Sequence, residues 1–316
     1  MDAKVMEAFE SWRANVTEED LVEELGELAK PEAEDKLYDA FYRSLAFGTA
    51  GLRGTIGVGT NRMNVYVVAQ ATQGLADYLN AHYQNPTVAL ARDSRLKGED
   101  FQKVAAGVLA ANGIRVYVYP RIEPVPTLSF AVRYLKTSAG IVLTASHNPA
   151  PYNGYKVYND NGGQITDEAA AEISANIARV NPFDVKPMDF EEGLEKGLIV
   201  WTPEEVLDNF IEAIKRVSIP GFKAADGYKV VYTPLNGTGM ECVTRILKEI
   251  GVNDVDVVPE QAEPDGNFPT CSYPNPEFRE ALELGLKLAD KVKPNLLVAT
   301  DPDADRMGTA IPHNGD

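Results

Sequence analysis

An α/β fold of two consecutive domains, each a sheet flanked by helices, is the architecture the sequence predicts, and three observations predict it. Short apolar runs alternate with amphipathic helix-length segments from about residue 65 to 180. The same alternation resumes from about 204 to 300, and an irregular Pro/Asp/Lys/Glu-rich stretch at 181–198 reads as a connector between the blocks. The expected division is residues 1–205 and 206–316.

In chain order, residues 1–45 read as acidic amphipathic helices broken at Pro31, with Leu21, Leu25 and Leu28 on one face. This leader is assigned no chemistry. A helix at 65–83, an apolar run at 87–91, a helix at 99–111, a run at 114–119, a helix at 128–136 and a run at 140–144 follow. Next come a hairpin-like piece at 155–158, the turn-rich NDNGGQIT and a helix at 167–180. Past the connector, a helix at 204–217 leads into strand 229–233, helix 241–250, strand 255–258, helix 277–292 and strand 295–300. The chain then stops after sixteen residues, in PHNGD and without a closing helix, so it reads as cut rather than finished.

Composition narrows the function classes. With 316 residues, 44% of them hydrophobic, the chain can bury a large core. Its 47 acidic against 30 basic side chains give a formal charge of -17, which argues against a nucleic-acid partner. Cys242 and Cys271 match neither a zinc spacing nor a disulfide framework, which fits a reducing cytoplasm. No apolar run approaches the ~18 residues of a membrane span, and no export signal opens the chain.

Three loops carry chemistry. TASHNP (Thr144 to Pro149) sits where an apolar run ends, the place where open α/β sheets bind ligands, and Ser146 is its candidate nucleophile. The plainer reading is an ordinary side-chain-to-backbone turn before a proline. A serine-hydrolase elbow would need Gly-x-Ser-x-Gly, where this chain has Thr144 and Asn148. A direct Ser146–His147 pair is not expected, because neighbouring side chains diverge in extended backbone.

DPDADR (Asp301 to Arg306) follows another apolar strand, and its alternate carboxylates Asp301, Asp303 and Asp305 can converge on one hard cation such as Mg²⁺. A calcium EF-hand fails, since it needs Gly and Glu where Arg306 and Pro312 stand. An arginine directly after the acids suits a metal that shares its site with phosphate. In FGTAGLRG (Phe47 to Gly54), Gly48, Gly51 and Gly54 permit close backbone approach, and Arg53 supplies charge for an anionic ligand.

Taken together and in this order, GTAGLRG, TASHNP with NGYKVYNDNGGQIT behind it, and DPDADR resemble the α-D-phosphohexomutase superfamily, the phosphoglucomutases and phosphomannomutases. FGTAGLRG, GTNRMN and ATQGLADY look closest to its phosphoglucomutase-2-like and phosphopentomutase branch. The resemblance implies domains one and two of a four-domain enzyme. The Gly-Glu-x-Ser sugar loop and Arg-x-Ser-Gly-Thr phosphate loop of domains three and four do not occur in the sequence. It also implies a phosphoserine at Ser146 that exchanges its phosphoryl group with sugar phosphates through a sugar bisphosphate. Mg²⁺ would be held by Ser146, Asp301, Asp303 and Asp305, with Arg53 and Arg306 as phosphate contacts, Lys156 as general acid/base and His147 as an accessory. A lysine in that role needs a lowered pKa, which nearby cations such as Arg53 would favour. Lys156 otherwise reads as a solvated strand lysine, and Arg92, Asp93 and Arg95 of ARDSR as a family-like segment or surface salt pairing. Two other readings remain open: a haloacid-dehalogenase-type phosphatase with Asp301 as nucleophile, and an inactive fragment that binds metal or phosphosugar. The sugar is not specified by these motifs.

Overall fold

Helices open the chain in the computed structural model, which describes residues 2–219, 221 and 224–313. They are α1 (Ala3–Asn15), α2 (Glu19–Leu28) and, after a 3-10 turn begun by Pro31, α3 (Glu34–Phe41). The Asp2 carboxylate accepts from the Lys4 amide at 2.8 Å and so caps α1. The buried stripe Phe9, Trp12, Leu21, Leu25, Leu28 and Phe41 fuses the leader to the core of the first sheet. Trp12 stands edge-on to both Phe41 and Phe183, so the leader is an integral layer of that core.

The first sheet unit runs β1 (Leu52–Thr55), α4 (Val65–His82), β2 (Thr87–Arg92), α5 (Gly98–Ala111), β3 (Arg115–Val118), α6 (Val125–Leu135), β4 (Ala139–Leu143), β5 (Tyr152–Asn159), α7 (Asp167–Ile177), α8 (Phe190–Glu195) and β6 (Ile199–Trp201). Its strand order is β1-β5-β4-β2-β3-β6. β2, β3, β4 and β6 are parallel, whereas β5 runs antiparallel to both β4 and β1. Helices cover both faces, which is why β2 and β4 read as unbroken apolar runs rather than alternating ones.

The second unit runs α9 (Glu205–Arg216), β7 (Lys229–Thr233), α10 (Met240–Glu249), β8 (Asp254–Val257), α11 (Pro259–Ala262), α12 (Arg279–Val292), β9 (Leu296–Thr300) and β10 (Met307–Ala310), in sheet order β10-β9-β7-β8. Val230, Tyr232 and Val298 pack toward α10, and Val231 and Leu297 toward α12. α9 joins the units, its Val206 packing with Leu128 of α6 and its Leu207 and Ile211 with Cys242 of α10. Two consecutive α/β units are what the alternation predicts.

The structure corrects several details. The connector at 181–198 is not irregular throughout, since it forms α8 and leads into β6, which extends the sheet. Met188 N donates to Gly107 O at 3.0 Å, pinning this stretch against α5. The piece at 155–158 is the middle of an eight-residue strand that pairs on both sides. The strand at 296–300 is not the last, because β10 returns antiparallel beside it; residues Asn314, Gly315 and Asp316 of the expected cut end lie outside the described residues. The glycine-rich loop also ends in a strand, with Arg53 on β1 opposite Gly154. Among the described residues no helix is long and apolar enough to cross a membrane.

Gly51 shows why this loop needs glycine. Its φ is +75°, and a Cβ there would fall 1.8 Å from the Tyr155 carbonyl oxygen. Gly51→Ala is expected to cost about 2–4 kcal/mol, combining left-handed strain with displacement of β5. An unchanged urea midpoint in this variant would refute that account.

Candidate active site

Parallel strands deliver the TASHNP and DPDADR loops from their carboxyl ends: β4 ends at Leu143, one residue before Thr144, and β9 ends at Thr300, one before Asp301. The two loops meet. Ser146 Oγ donates to Asp301 Oδ2 at 3.1 Å, Thr144 Oγ1 lies 3.0 Å from Asp303 Oδ2, and Val125 N at the head of α6 donates to Asp303 O at 2.9 Å. The two sheet units therefore share one polar floor.

Ser146 is buried and left-handed, with φ 54°. Its amide donates to Thr144 Oγ1 at 2.8 Å, and its Oγ lies 3.3 Å from His147 Nδ1. The expectation that Ser146 and His147 diverge is thus overturned, because it assumed extended backbone and the turn at Ser146 is not extended. Burial, with the nearby charges of Arg306 and Arg53, lowers the His147 pKa.

Asp301, Asp303 and Asp305 each present a carboxylate oxygen within 4.8 Å of the others, with the first two buried and Asp305 exposed. Ala304, at φ 50°, makes the turn that folds the loop, and Arg306 N donates to Asp301 Oδ1 at 3.1 Å. Burial raises the Asp301 carboxyl, and the charges of Asp303 and Asp305 raise it further. Burial and Asp303 likewise raise Asp305. For Asp303 burial acts upward but is outweighed by the Lys156 ammonium together with hydrogen bonds to Asp301, Lys156 and Thr144, so its carboxyl is lowered. Asp303 Oδ1 is buried without a hydrogen-bond partner. Crowded carboxylates with an orphaned oxygen form a set that can chelate a metal ion.

Lys156 is buried, not solvated, and donates from Nζ to Asp303 Oδ2 at 3.0 Å with Asp305 Oδ2 3.7 Å away. Burial pulls its pKa down, but these two carboxylates outweigh burial and raise it. The expectation of a lowered pKa is corrected accordingly, since carboxylates rather than Arg53 surround the ammonium. Arg53 is exposed and donates to Asn148 Oδ1 at 3.1 Å, on the rim of the serine loop. Arg306 is also exposed, 3.7 Å from both Glu277 and Asp305.

The surface-pairing reading of Asp93 and Arg95 fails as well, because both are buried and lie beneath the serine loop. Thr144 Oγ1 is 2.6 Å from Asp93 Oδ2, so one hydroxyl proton serves the carboxylates of Asp93 and Asp303. Arg92 stays partly exposed near Glu99 at 3.8 Å. Thr144 is the hydrogen-bonding neighbour of the serine that motif reading passed over, and its position at a strand end inside TASHNP was the available signal. A cavity of about 530 Å³ lined by Trp12, Phe47, Gln70 and Phe183 lies between leader and core and includes no residue of the TASHNP or DPDADR loops.

Two family models match the chain: "Phosphoglucomutase/phosphomannomutase, alpha/beta/alpha domain I" over residues 44–182, and "domain II" of the same family over residues 208–315. A phosphoglucomutase of Staphylococcus saprophyticus is 40% identical over 298 residues, covering 94% of this chain and 53% of that protein. One of Staphylococcus haemolyticus is 40% identical over 269 residues, covering 85% and 48%. Among solved structures, a putative phosphomannomutase from Thermus thermophilus superposes with TM-score 0.71 at 27% identity, covering 85% of this chain and 57% of that one. The chain spans about half the length of the curated relatives it matches.

Proposed function

This chain belongs to the phosphoglucomutase/phosphomannomutase superfamily, and from that premise we propose that it carries the phosphoryl-transfer machinery of a sugar-phosphate mutase, with Ser146 as the phosphate carrier. The observation that carries the reading is the 3.1 Å contact between Ser146 Oγ and Asp301, made from two different sheet units at the edge of a carboxylate cluster. The substrates are sugar 1-phosphates and 6- or 5-phosphates, exchanged through a bisphosphate. The branch that includes phosphoglucomutase-2-like enzymes and phosphopentomutases is favoured by FGTAGLRG and GTNRMN. A division at 205/206 and a cytoplasmic location belong to the same proposal. The separate sheets and the two unpaired cysteines support them.

Asp301, Asp303 and Asp305 fit Mg²⁺, with a Ser146 or phosphoserine oxygen completing the set, because hard oxygen donors and an orphaned carboxylate oxygen are what such an ion takes. When bound, Mg²⁺ supplies neutralisation of charge on the phosphoryl oxygens. The residues do the rest. In the first transfer the bond from Ser146 Oγ to phosphorus breaks while the sugar hydroxyl oxygen bonds to phosphorus, the sugar hydroxyl losing its proton to solvent and Ser146 Oγ gaining one. Lys156, held protonated by its carboxylates, fits the acid role toward the departing oxygen. In the return transfer Ser146 Oγ bonds to the phosphorus of the bisphosphate's other phosphate while the bond from that phosphorus to the sugar oxygen breaks; the Ser146 hydroxyl proton has His147 Nδ1 in reach at 3.3 Å, and Lys156 supplies a proton to the departing sugar oxygen. Arg53 and Arg306 sit exposed on either loop, placed to bind the phosphate oxygens of an incoming substrate.

Incubation with glucose 1,6-bisphosphate and Mg²⁺ followed by peptide mapping tests the reading. An acid-stable phosphoserine at position 146 is expected, whereas a labile acyl phosphate on Asp301 would favour the phosphatase alternative. Calorimetry tests the metal set. Asp303→Asn together with Asp305→Asn is expected to weaken Mg²⁺ by more than about tenfold. Because Asp301 holds a proton more tightly than an ordinary carboxyl, binding releases it, so affinity rises with pH until the raised Asp301 range is passed. Unchanged affinity in the double variant, or affinity that falls with pH, would refute the assignment.

A further inference from the structure

The ARDSR segment has an unexplained feature: both terminal nitrogens of its second arginine are spent on backbone carbonyls. The Arg95 side chain has 0% exposure and donates to the carbonyl oxygens of Ser146 at 2.7 Å, Pro149 at 3.0 Å, Tyr152 at 2.9 Å and Asn148. All four belong to the serine loop and its return into β5. Asp93 Oδ2 lies 3.4 Å from Arg95 Nε as counter-charge, and its Oδ1 accepts from the Arg95 amide at 2.9 Å. From the second sheet unit, Phe268 lies with its ring centroid 5.1 Å from the guanidinium. Gly266 brings its backbone so close that a Cβ there would be 2.6 Å from Leu96 N and Ser94 O.

Ser146 occupies left-handed backbone that a non-glycine residue keeps only when its surroundings impose it. Both of its peptide groups are imposed upon. The Ser146 amide is fixed by Thr144 Oγ1, which itself rests on Asp93, and the Ser146 carbonyl is fixed by Arg95. Only a planar fork of several donors can hold four carbonyls at once, and a lysine ammonium cannot.

We propose that Arg95 is a positioning residue that locks the serine loop in its left-handed turn, so that Ser146 Oγ faces Asp301 and the reacting phosphoryl group is held in line. The proposal rests on the reading of Ser146 as phosphate carrier. Arg95 touches no substrate; it acts through the loop. A purely structural buried arginine would change melting without changing the rate of transfer in the folded state.

The test uses Arg95→Lys, which keeps the charge beside Asp93 and removes the fork. With Mg²⁺ and labelled glucose 1,6-bisphosphate, the maximal rate of Ser146 labelling is expected to fall about a hundredfold, with half-saturating bisphosphate and Mg²⁺ affinity unchanged. Amide exchange is expected to quicken about tenfold in residues 146–152 and nowhere else. Labelling at the parental rate, or parental protection of those amides, would overturn the proposal. If the parent takes no label, the phosphoserine reading fails, and the exchange measurement still decides whether Arg95 holds the loop. Should Arg95→Lys not fold, the neutral pair Asp93→Asn with Arg95→Gln carries the same measurements without a buried charge.

Discussion

Ser146→Ala is expected to abolish phosphoryl uptake from a sugar bisphosphate while the protein stays folded and still binds Mg²⁺. The hydroxyl is buried and makes two polar contacts, to Asp301 and His147, so its loss costs about 1–3 kcal/mol of stability. Alanine tolerates the left-handed turn no better or worse than serine, since both carry a Cβ, and the loop hydrogen bonds to the residue 146 amide and carbonyl survive. Chemistry is another matter, because among the described residues no second hydroxyl donates to Asp301. Thr144 Oγ1 is already committed between Asp93 and Asp303 and accepts the Ser146 amide. Mg²⁺ affinity should drop modestly, by the loss of one oxygen donor. Label appearing on the variant at the parental rate, at any residue, would remove Ser146 from the mechanism.

What could be read from sequence follows from where the information sits. The alternate carboxylates of DPDADR were legible because their chemistry and their position after an apolar run are both local. The same holds for TASHNP and for β2, β4 and β9, whose residues are apolar on both faces. β1, β6 and β10 were not, being three or four residues long, mixed in polarity and completed only by partners distant in sequence. Lys156 reads as a polar residue in a mixed strand, and its burial depends on a loop 147 residues away closing over it. Asp93 and Arg95 misled in the same way, since a charged pair in a short loop is ordinarily surface. Here it lies under the serine loop, and Phe268 and Gly266 reach it from the other unit. The motif singled out Ser146 as a candidate, but its backbone conformation, which makes the contact with His147, depends on the tertiary hydrogen bond from Arg95, which no local pattern announces.

Residues 1–316 alone are expected to unfold cooperatively on heating yet to show no measurable conversion of hexose or pentose 1-phosphate. Folding is expected because each sheet has its own packed core, and α9 and the Ser146–Asp301 contact tie the two together. The absence of turnover follows from what the mutase reaction must hold. The sugar has to present first one oxygen and then the other in line with the same serine, which requires groups that grip the sugar and its distal phosphate in both orientations. Arg53 and Arg306 are exposed at the loops and can meet a phosphate, but the Gly-Glu-x-Ser and Arg-x-Ser-Gly-Thr sequences that the resemblance assigns to sugar and distal-phosphate binding do not occur in this chain. Correct positioning of reacting groups accounts for ~7–11 kcal/mol of a barrier, and losing even half of it slows turnover by roughly several hundredfold to ten-thousandfold. The same reasoning makes single labelling of Ser146 the less demanding event, since it needs one orientation only. Sustained mutase turnover by residues 1–316, freed of contaminating host enzyme, would show that these two units grip substrate unaided and would overturn the division of labour proposed here.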